Sequence, residues 1–565
     1  MNNRLAKWLP ILRWAPGYSR QHAGNDVTAA ATVMLLLIPQ SMAYALLAGL
    51  PAVTGLYASM LPLVVYALMG SSPALGVGPA ALRSIMSLAA VGAVVTQGSA
   101  DFMAASLLLA VMVGTLLLIM GALRMGFVAG FLSHPVLSGF VTASGLLIAM
   151  SQWPHVWGVP LSGQNLAVFV QSWWHSGTAF HGLTLGVGLG TMLWLGLSKR
   201  WLQRGLLLKA VPLLTMAVAI VLTEQLGWAA KGLAVVGDIP SGAMPWTLGP
   251  VLGVSWNTTQ ALLVPALLIA VMTFVEQVSI AQSLAAKRRE RIDTNTEMVA
   301  MGGANLAAGL TGGFAVGASF SRSVVNDEAG ARTPMSGLFT AVLLLITALF
   351  FTPWLSQLPL AVLAATILMA LGSLLDFGSF AKTWRYSRAD FAAQALTFSV
   401  TLLVDLVSGL MAGVVASLLL HIWHSSRPHI ATVGHVPGTE HYRNVLRHEV
   451  ITHPEVLGLR PDESLFFANA RFLEDHVAAA VAAQPAVRHV VLQCNAINDI
   501  DASGLESLQT IDQRLREQGI ALHLSEVKGP VMDRLQRSDW LQNMSGQVFL
   551  THHQAVTALV GPNAS

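Results

Sequence analysis

Two stretches of small residues, 73–84 and 312–323, carry the side chains best placed to do chemistry in this chain. In each, small and apolar residues alternate as in a short strand, and a helix is then expected from Pro79 or near Ser319, since Pro and Ser are favoured helix starters. A helix N-terminus presents free N–H groups and a positive dipole end, so two of them aimed at one point would hold an anion. Magnitudes decide what else is required. Each dipole offers about 0.3–1 kcal/mol, and about 2 when partly buried, whereas dehydrating an ion costs several kcal/mol. Hydroxyls and a fixed cation must supply the difference, which selects Ser319, Ser321 and Arg322, with Arg83 as a further candidate in or beside the site. Arginine suits oxyanions because its planar fork holds two oxygens. The competing reading of these glycines is close helix packing, with Arg322 paired to Glu276.

Glu276 is the other candidate. It lies in the apolar stretch 262–286, with ten residues between it and Lys287, hence about 15 Å along a helix. A charge at such depth costs about 2.5–3.5 kcal/mol on insertion scales. Glu276 must therefore be protonated, paired with Arg322 or Arg83, or facing a wet cavity, and the functional reading is a proton carrier. Glu297 is expected to order the core.

The elements that position these residues follow from composition. Of 565 residues, 54% are hydrophobic and 10% charged, against about 25% charged in soluble domains. Residues 1–426 hold 20 Lys+Arg and 13 Asp+Glu; residues 427–565 hold 11 and 15. The first part reads as an α-helical polytopic membrane protein and the second as a soluble domain. The single cysteine, Cys494, excludes a disulfide framework. Low charge and long apolar runs exclude disorder and an ordinary cytosolic enzyme, and nothing points to nucleic acid. There is no Walker loop, H-E-x-x-H or nucleophile elbow. The histidines from His421 to His441 match no compact metal site, so no metal or cofactor is expected.

About fourteen apolar runs, near 27–50, 53–69, 79–97, 103–121, 127–150, 180–198, 206–226, 258–286, 296–312, 319–331, 335–352, 355–374, 389–405 and 407–425, read as spans. The stretch 152–181 is a loop or an interfacial helix, with Trp153 and Trp157 as interfacial anchors. The first run exceeds a signal-peptide core, so no cleaved leader is expected. With the N-terminus inside, 17 Lys and Arg fall on cytoplasmic segments and only Lys231 on an outer loop, which places both termini in the cytoplasm. The two small-residue stretches occupy the third and tenth spans. Seven apart in fourteen, they match a 7+7 inverted repeat whose broken helices meet at the midplane.

The expected division is 1–26, a cytoplasmic segment; 27–426, the membrane domain; 427–443, a linker; and 444–565, an α/β domain. In the last, 465–467, 489–493 and 520–527 read as strands, and 503–518 and 530–538 as helices.

These residues resemble the sulfate permease (SulP) family of anion transporters. The resemblance rests on 38–45 through Pro51 and 55–57, on Val77-Gly78-Pro79, on 295–305, on 317–327 and on 426–429. Residues 466–470 and 500–505 look like the STAS module, the sulfate-transporter and anti-sigma-antagonist domain. The resemblance implies a core domain moving against a gate domain, a STAS domain inside the cell and a homodimer. By matching positions, Gln40, Tyr44, Ala80, Ala81, Ser319, Ser321 and Arg322 would line the site, and proton symporters of the family have a glutamate like Glu276. Ser503 stands where soluble STAS antagonists are phosphorylated, and equally where a helix cap would stand. Two positions depart from the pattern: Arg83 replaces a small or aliphatic residue and Thr296 a common Gln.

The expected function is secondary active anion transport by alternating access in the plasma (bacterial inner) membrane, with sulfate and proton symport foremost. The STAS domain would be free to meet a cytosolic partner. Bicarbonate, C4-dicarboxylate or chloride transport or exchange are alternatives within the family. A membrane anion sensor signalling through the STAS domain is the alternative of another class.

Overall fold

The computed structural model describes residues 9–126, 133–159, 165–176, 180–201, 206–237, 245–373 and 375–560. Of the basic residues used for orientation, Arg4, Lys7 and Arg204 fall outside them. The chain divides into two compact units, Met1–Ser417 and Leu418–Ser565.

The first unit is helical. Its main helices are α1 (Arg20–Leu47), α2 (Ala52–Met69), α3 (Ala81–Gly92), α4 (Ala100–Ala122), α5 (His134–Trp157), α6 (Leu166–Ser176), α7 (Gly182–Trp201), α8 (Leu206–Leu226), α9 (Trp256–Arg288), α10 (Thr294–Leu310), α11 (Phe320–Glu328), α12 (Met335–Phe350), α13 (Leu360–Ala370), α14 (Phe377–Tyr386) and α15 (Arg388–Leu403), while α16 (Leu406–Ser426) begins in this unit and ends in the second. Every one of the fourteen apolar runs contains a helix, α6 falls in the tryptophan-rich stretch 152–181, and α14 lies between two runs. By length and composition, six of the described helices (α1, α2, α4, α5, α9 and α16) can cross a membrane. Others, including α3, α12 and α13, are apolar but shorter.

Helix α3 is short because an extended segment takes its place. Strand β1 (Val77–Gly78) pairs antiparallel with β2 (Gly317–Ala318), in the register Val77↔Ala318 and Gly78↔Gly317. Extended backbone buried in an apolar unit must have its polar groups satisfied, and α10 does much of this. Its buried Glu297 accepts from the N–H groups of Ser71 (2.8 Å) and Ser72 (3.1 Å) and from the Ser71 (2.6 Å) and Tyr66 (2.7 Å) hydroxyls, all just ahead of β1. Two turns later on the same face, buried Asn305 accepts from Val316 N–H (2.9 Å) and donates to Val316 O (3.0 Å), just ahead of β2. A carboxylate and an amide on one helix therefore hold the approaches to both strands. The ordering role expected of Glu297 is the role its contacts describe.

The second unit is built on a six-stranded sheet of order β4-β3-β5-β6-β7-β8. Its strands are β3 (Ile430–His435), β4 (Tyr442–Asn444), β5 (Val456–Pro461), β6 (His489–Gln493), β7 (Ala521–Ser525) and β8 (Val548–Phe549). The β5-β6-β7-β8 half is parallel, while β3 is antiparallel to both of its neighbours. Alternation along β6 sends Val490 and Leu492 to one face, beneath α17 (Ala470–Ala482) and α18 (Ala502–Glu517). Val491 goes to the other, against Ala555 and Val556 of α20 (His552–Val560), while α19 (Gly529–Leu535) adds Val531 and Leu535 to the first core. Strand β3 lies within the stretch expected to link the two domains.

Residues 465–467, expected as a strand, make a single bridge, Leu465↔Ile500, and then turn. Asn469 imposes the turn: its side chain accepts from Phe466 N–H (3.0 Å) and donates to Ser464 O (2.8 Å). Ser503 does not cap α18. Asp501 does, accepting from Gly504 N–H at 2.8 Å, and its other oxygen takes Phe467 N–H at 2.9 Å. A carboxylate two residues earlier reaches the same free donors, so the Ser503 hydroxyl is not used there.

Two histidines of this unit are buried as neutral rings. His523 Nδ1 accepts from Gln547 N–H (3.1 Å), its Nε2 lies 3.2 Å from His489 Nδ1, and burial reinforced by His489 lowers its pKa to about 4. Burial likewise lowers His552, 2.8 Å from the Ser525 hydroxyl, to about 4. Unfolded imidazoles titrate near 6.5, so between those values the open chain binds more protons than the folded one and stability falls as pH falls. Hydrogen exchange of the full chain, corrected for intrinsic rates, should show protection of residues 521–525 and 548–556 declining as pH drops from about 6.5 to 4. Protection that is constant across this window would contradict it.

Candidate anion-binding site

The β1–β2 pairing brings two helix starts together. Helix α3 begins at Ala81 after an extended Ala80, and α11 at Phe320 after an extended Ser319, and neither N-cap side chain bonds the first turn. Ser319 N–H donates to Gly76 O (3.0 Å), Gly76 N–H to Ser323 Oγ (2.9 Å), and Ser323 Oγ to Ser319 O (2.7 Å). The crossing is thus closed by its own polar groups, leaving the first-turn N–H groups of both helices without side-chain caps.

Two guanidiniums enter this junction with different tasks. Arg83, 1% exposed, spends donors in three directions: Nε to Thr273 Oγ1 (3.1 Å), Nη1 to Ala318 O (3.1 Å) and Nη2 to Glu276 Oε2 (2.7 Å). Arg322, 0% exposed, uses only Nη1, on Pro79 O at 2.7 Å and at the 3.5 Å limit on Gln40 Oε1. Its Nε and Nη2 have no hydrogen-bond partner among the described residues. These two nitrogens share one edge of the planar group, the edge that grips a carboxylate or oxyanion with two parallel bonds. An unmet buried donor costs about 1–3 kcal/mol, and more when charged, so this edge is a standing demand for acceptor oxygens.

Glycine makes room for both cations. A Cβ on Gly317 would lie 2.1 Å from Arg83 Cζ and Nε. Gly78 has φ +145°, a conformation side chains rarely adopt, and faces Arg322 Nη2.

Of the residues expected from the sequence, Gln40 and Arg322 are in contact, and Ala80, Ala81 and Ser319 form the two helix starts. Tyr44, one turn from Gln40 on α1, is buried and is an electrostatic neighbour of Arg322. The side chain of Ser321 lies outside the described residues, and Ser503 belongs to the other unit. Of the two partners considered for Glu276, Arg83 is the one in contact. The Glu276 side chain is 31% exposed. Sequence reasoning missed Thr273, although its i, i+3 spacing from Glu276 puts both on one face of α9. One helical turn from Tyr44 and Ala81, Leu47 and Ile85 line a cavity of about 660 Å³ that also reaches Gln97, Gln152 and His155.

The sulfate permease family model matches residues 24–397 and the STAS domain model residues 447–555. The chain belongs to the sulfate permease family. This permease is 32% identical over 577 residues to "Sulfate transporter 4.1, chloroplastic" of Arabidopsis thaliana, an alignment covering 98% of this chain and 83% of that protein. It is 32% identical to "Probable sulfate transporter MT1781" of Mycobacterium tuberculosis, over 96% and 98% of the two chains. Among solved structures, murine Slc26a9, an anion transporter in an inward-facing state, aligns with a TM-score of 0.90 at 22% identity over 99% of this chain and 95% of that one. The transmembrane domain of the cyanobacterial bicarbonate transporter BicA aligns at 0.60 and 19% identity over 71% and 98%. These likenesses give the helical transporter fold with its STAS domain, and family membership places the permease among anion transporters, not enzymes.

Because Arg83 is held on three sides, a methyl group at Gly317 cannot be accommodated by a swing of the guanidinium. Gly317→Ala should weaken anion binding by about 1–3 kcal/mol, roughly tenfold to a hundredfold, measured by titration of the purified permease. Gly190→Ala, where an added Cβ meets nothing within 4 Å, should be neutral. Equal affinity in the two variants would contradict the placement of Arg83.

Proposed function

We propose that this permease is a secondary active anion transporter that takes up sulfate with protons by alternating access. The anion would bind between the N-termini of α3 and α11. The observation that carries this reading is the buried Arg322 edge, Nε and Nη2, left without acceptors where two uncapped helix starts converge. Dipoles and a desolvated cation favour an anion there, and a two-donor edge favours an oxyanion over a spherical halide. The names of the relatives support sulfate. Bicarbonate, C4-dicarboxylates and chloride, alone or in exchange, are the other cargoes to test.

The architecture that fits this reading has fourteen spans in two inverted sets of seven, related through β1 and β2, with a core domain moving against a gate. Ser321 would add its hydroxyl to Gln40, Tyr44, Ala80, Ala81, Ser319 and Arg322 around the anion. Basic residues on one set of loops favour both termini in the cytoplasm of a cell bounded by this membrane, with the STAS domain free to meet a cytosolic partner, Ser503 available to a kinase, and two copies forming a dimer. Glu276, partly exposed yet deep in the helical unit, is the residue to carry the proton.

Labelled sulfate uptake into proteoliposomes tests the reading, with and without an inward proton gradient and with bicarbonate, chloride, fumarate and succinate as competitors. Gradient-stimulated uptake is expected. Arg322→Ala should lower uptake about a hundredfold or more, the cost of roughly 3 kcal/mol for removing one partner of a desolvated charge pair. Glu276→Gln should abolish the stimulation. Binding without flux would instead favour an anion sensor, and normal uptake by a folded Arg322→Ala variant would contradict the site.

A further inference from the structure

Helix α14 has one face built into the helical unit and one left bare. On the inner face the Ser379 hydroxyl donates to Asp376 O (2.8 Å), accepts from Gln394 Nε2 of α15 (2.9 Å) and lies 2.7 Å from the Ser138 hydroxyl of α5. Phe380 meets Phe391 and Phe398 of α15 edge-on, with ring centroids 6.4 and 5.3 Å apart. The opposite face is exposed. Phe377, Trp384 and Tyr386 are 55%, 52% and 92% exposed, and Lys382, Arg385 and Arg388 are exposed beside them. Arg388 opens α15 with its guanidinium 5.7 Å from the centre of the Trp384 ring. Helix α14 contains no acidic residue; Asp376 caps its start and Asp390 lies in the first turn of α15. Among the described residues, none of the three cations has an ion-pair partner.

We propose that α14 is an interfacial helix that binds anionic phospholipids, with Phe377 and Trp384 seated at the acyl boundary and Lys382, Arg385 and Arg388 on the headgroup phosphates. Exposed rings call for an apolar cover and unpaired cations for anions, and the headgroup layer of a bilayer supplies both within about 5–10 Å of depth. The helix is arranged for that layer. Phe377 and Trp384, seven residues apart, share one edge of the exposed face, and Arg385 and then Lys382 follow around it. A second copy of this face is a poor partner, since it would set like charges against one another. Helix α6 offers an internal contrast. It too is a short helix between longer ones and exposes Trp173 and Trp174, yet it has no Lys, Arg, Asp or Glu. In the orientation proposed above α6 lies outside and α14 inside, so the cations stand where anionic lipids give a membrane its negative surface potential. Through Ser379 and Phe380 the bound lipids would fix the depth of α5 and α15. The inference needs the membrane but not the identity of the cargo.

The test places a dansyl fluorophore on the full chain at Ala381→Cys, an exposed position on the same face; the one native thiol, Cys494, is buried and does not compete for the label. The labelled protein is reconstituted with phosphatidylglycerol or phosphatidylcholine carrying the same nitroxide near the glycerol, and quenching is followed against mole fraction. Each engaged cation is worth roughly fivefold, so phosphatidylglycerol should reach half-maximal quenching at a mole fraction about tenfold or more below that of phosphatidylcholine. In about 1 M salt, where the screening length falls to roughly 3 Å, the preference should collapse. The combined Lys382→Gln, Arg385→Gln and Arg388→Gln variant should bring the two lipids within about twofold of each other at low salt. Equal quenching by the two lipids, or a preference that survives either salt or the variant, overturns the proposal. Quenching by neither lipid, with the fluorophore shielded or reached only by a water-soluble nitroxide, also overturns it and points to an acidic protein partner or to a face turned away from the bilayer. The salt comparison needs no further variant, so misfolding of the triple substitution does not decide the question, and none of these outcomes bears on the anion site.

Discussion

The organisation of the helical unit depends on two short lengths of extended backbone that meet where an apolar interior offers no water. Peptide groups at Val77–Gly78 and Gly317–Ala318 satisfy one another, and each strand can leave only as a helix, because a helix alone continues to satisfy its own backbone. From that constraint follow the short α3 and α11, their converging starts and the need for Glu297 and Asn305 to hold the approaches. The site is therefore a by-product of how a broken helix is made tolerable. On the proposed reading, the same uncapped N–H groups that would be a defect elsewhere become its attraction for an anion.

Within this frame the two arginines divide the electrostatic work. Arg83 has a partner on each of its three nitrogens, Thr273, Ala318 and Glu276. Arg322 has one nitrogen occupied and one edge open. Position relative to the strands explains the difference. Arg83 lies two residues into α3 and reaches across β2 over the bare face of Gly317, where Thr273 and Glu276 of α9 wait. Arg322 reaches back across β1 over Gly78 and meets the Pro79 carbonyl and α1, which carries Gln40 but no carboxylate in reach of the guanidinium. Among the described residues no carboxylate meets Arg322 on that side, and its Nε and Nη2 edge stays open.

Much of this was legible in the sequence because the signals are compositional and periodic. Helices stand on all the apolar runs, the two small-residue stretches do pair, and both helices begin within two residues of the expected points. What escaped depends on rotation about a helix axis. Near a break the phase of a helix is uncertain by a residue, or about 100°, so sequence left open which arginine would meet Glu276. The second unit shows the same limit. An apolar Leu465-Phe466-Phe467 looks like a strand, yet one amide, Asn469, turns it. Ser503 and Asp501 are both good caps, and only backbone geometry selects the carboxylate.

The contrast between the two carboxylates Glu276 and Glu297 shows how burial alone fails to assign a role. Glu297 is the more deeply buried, yet four donors from Tyr66, Ser71 and Ser72, with Gln277 as a fifth, saturate it without any cation. With donors on every side, its contacts give it a fixed place. Glu276 has Arg83 as partner on one oxygen and an exposed flank. Its partner keeps other bonds when the carboxylate is neutralised, so a change of charge there disturbs little of the surrounding packing. On the proposed reading, a residue that alternates between two charges in each cycle belongs where its loss of charge leaves the scaffold intact, and the position that meets this requirement is on α9 beside Arg83, not on α10 beneath the strands.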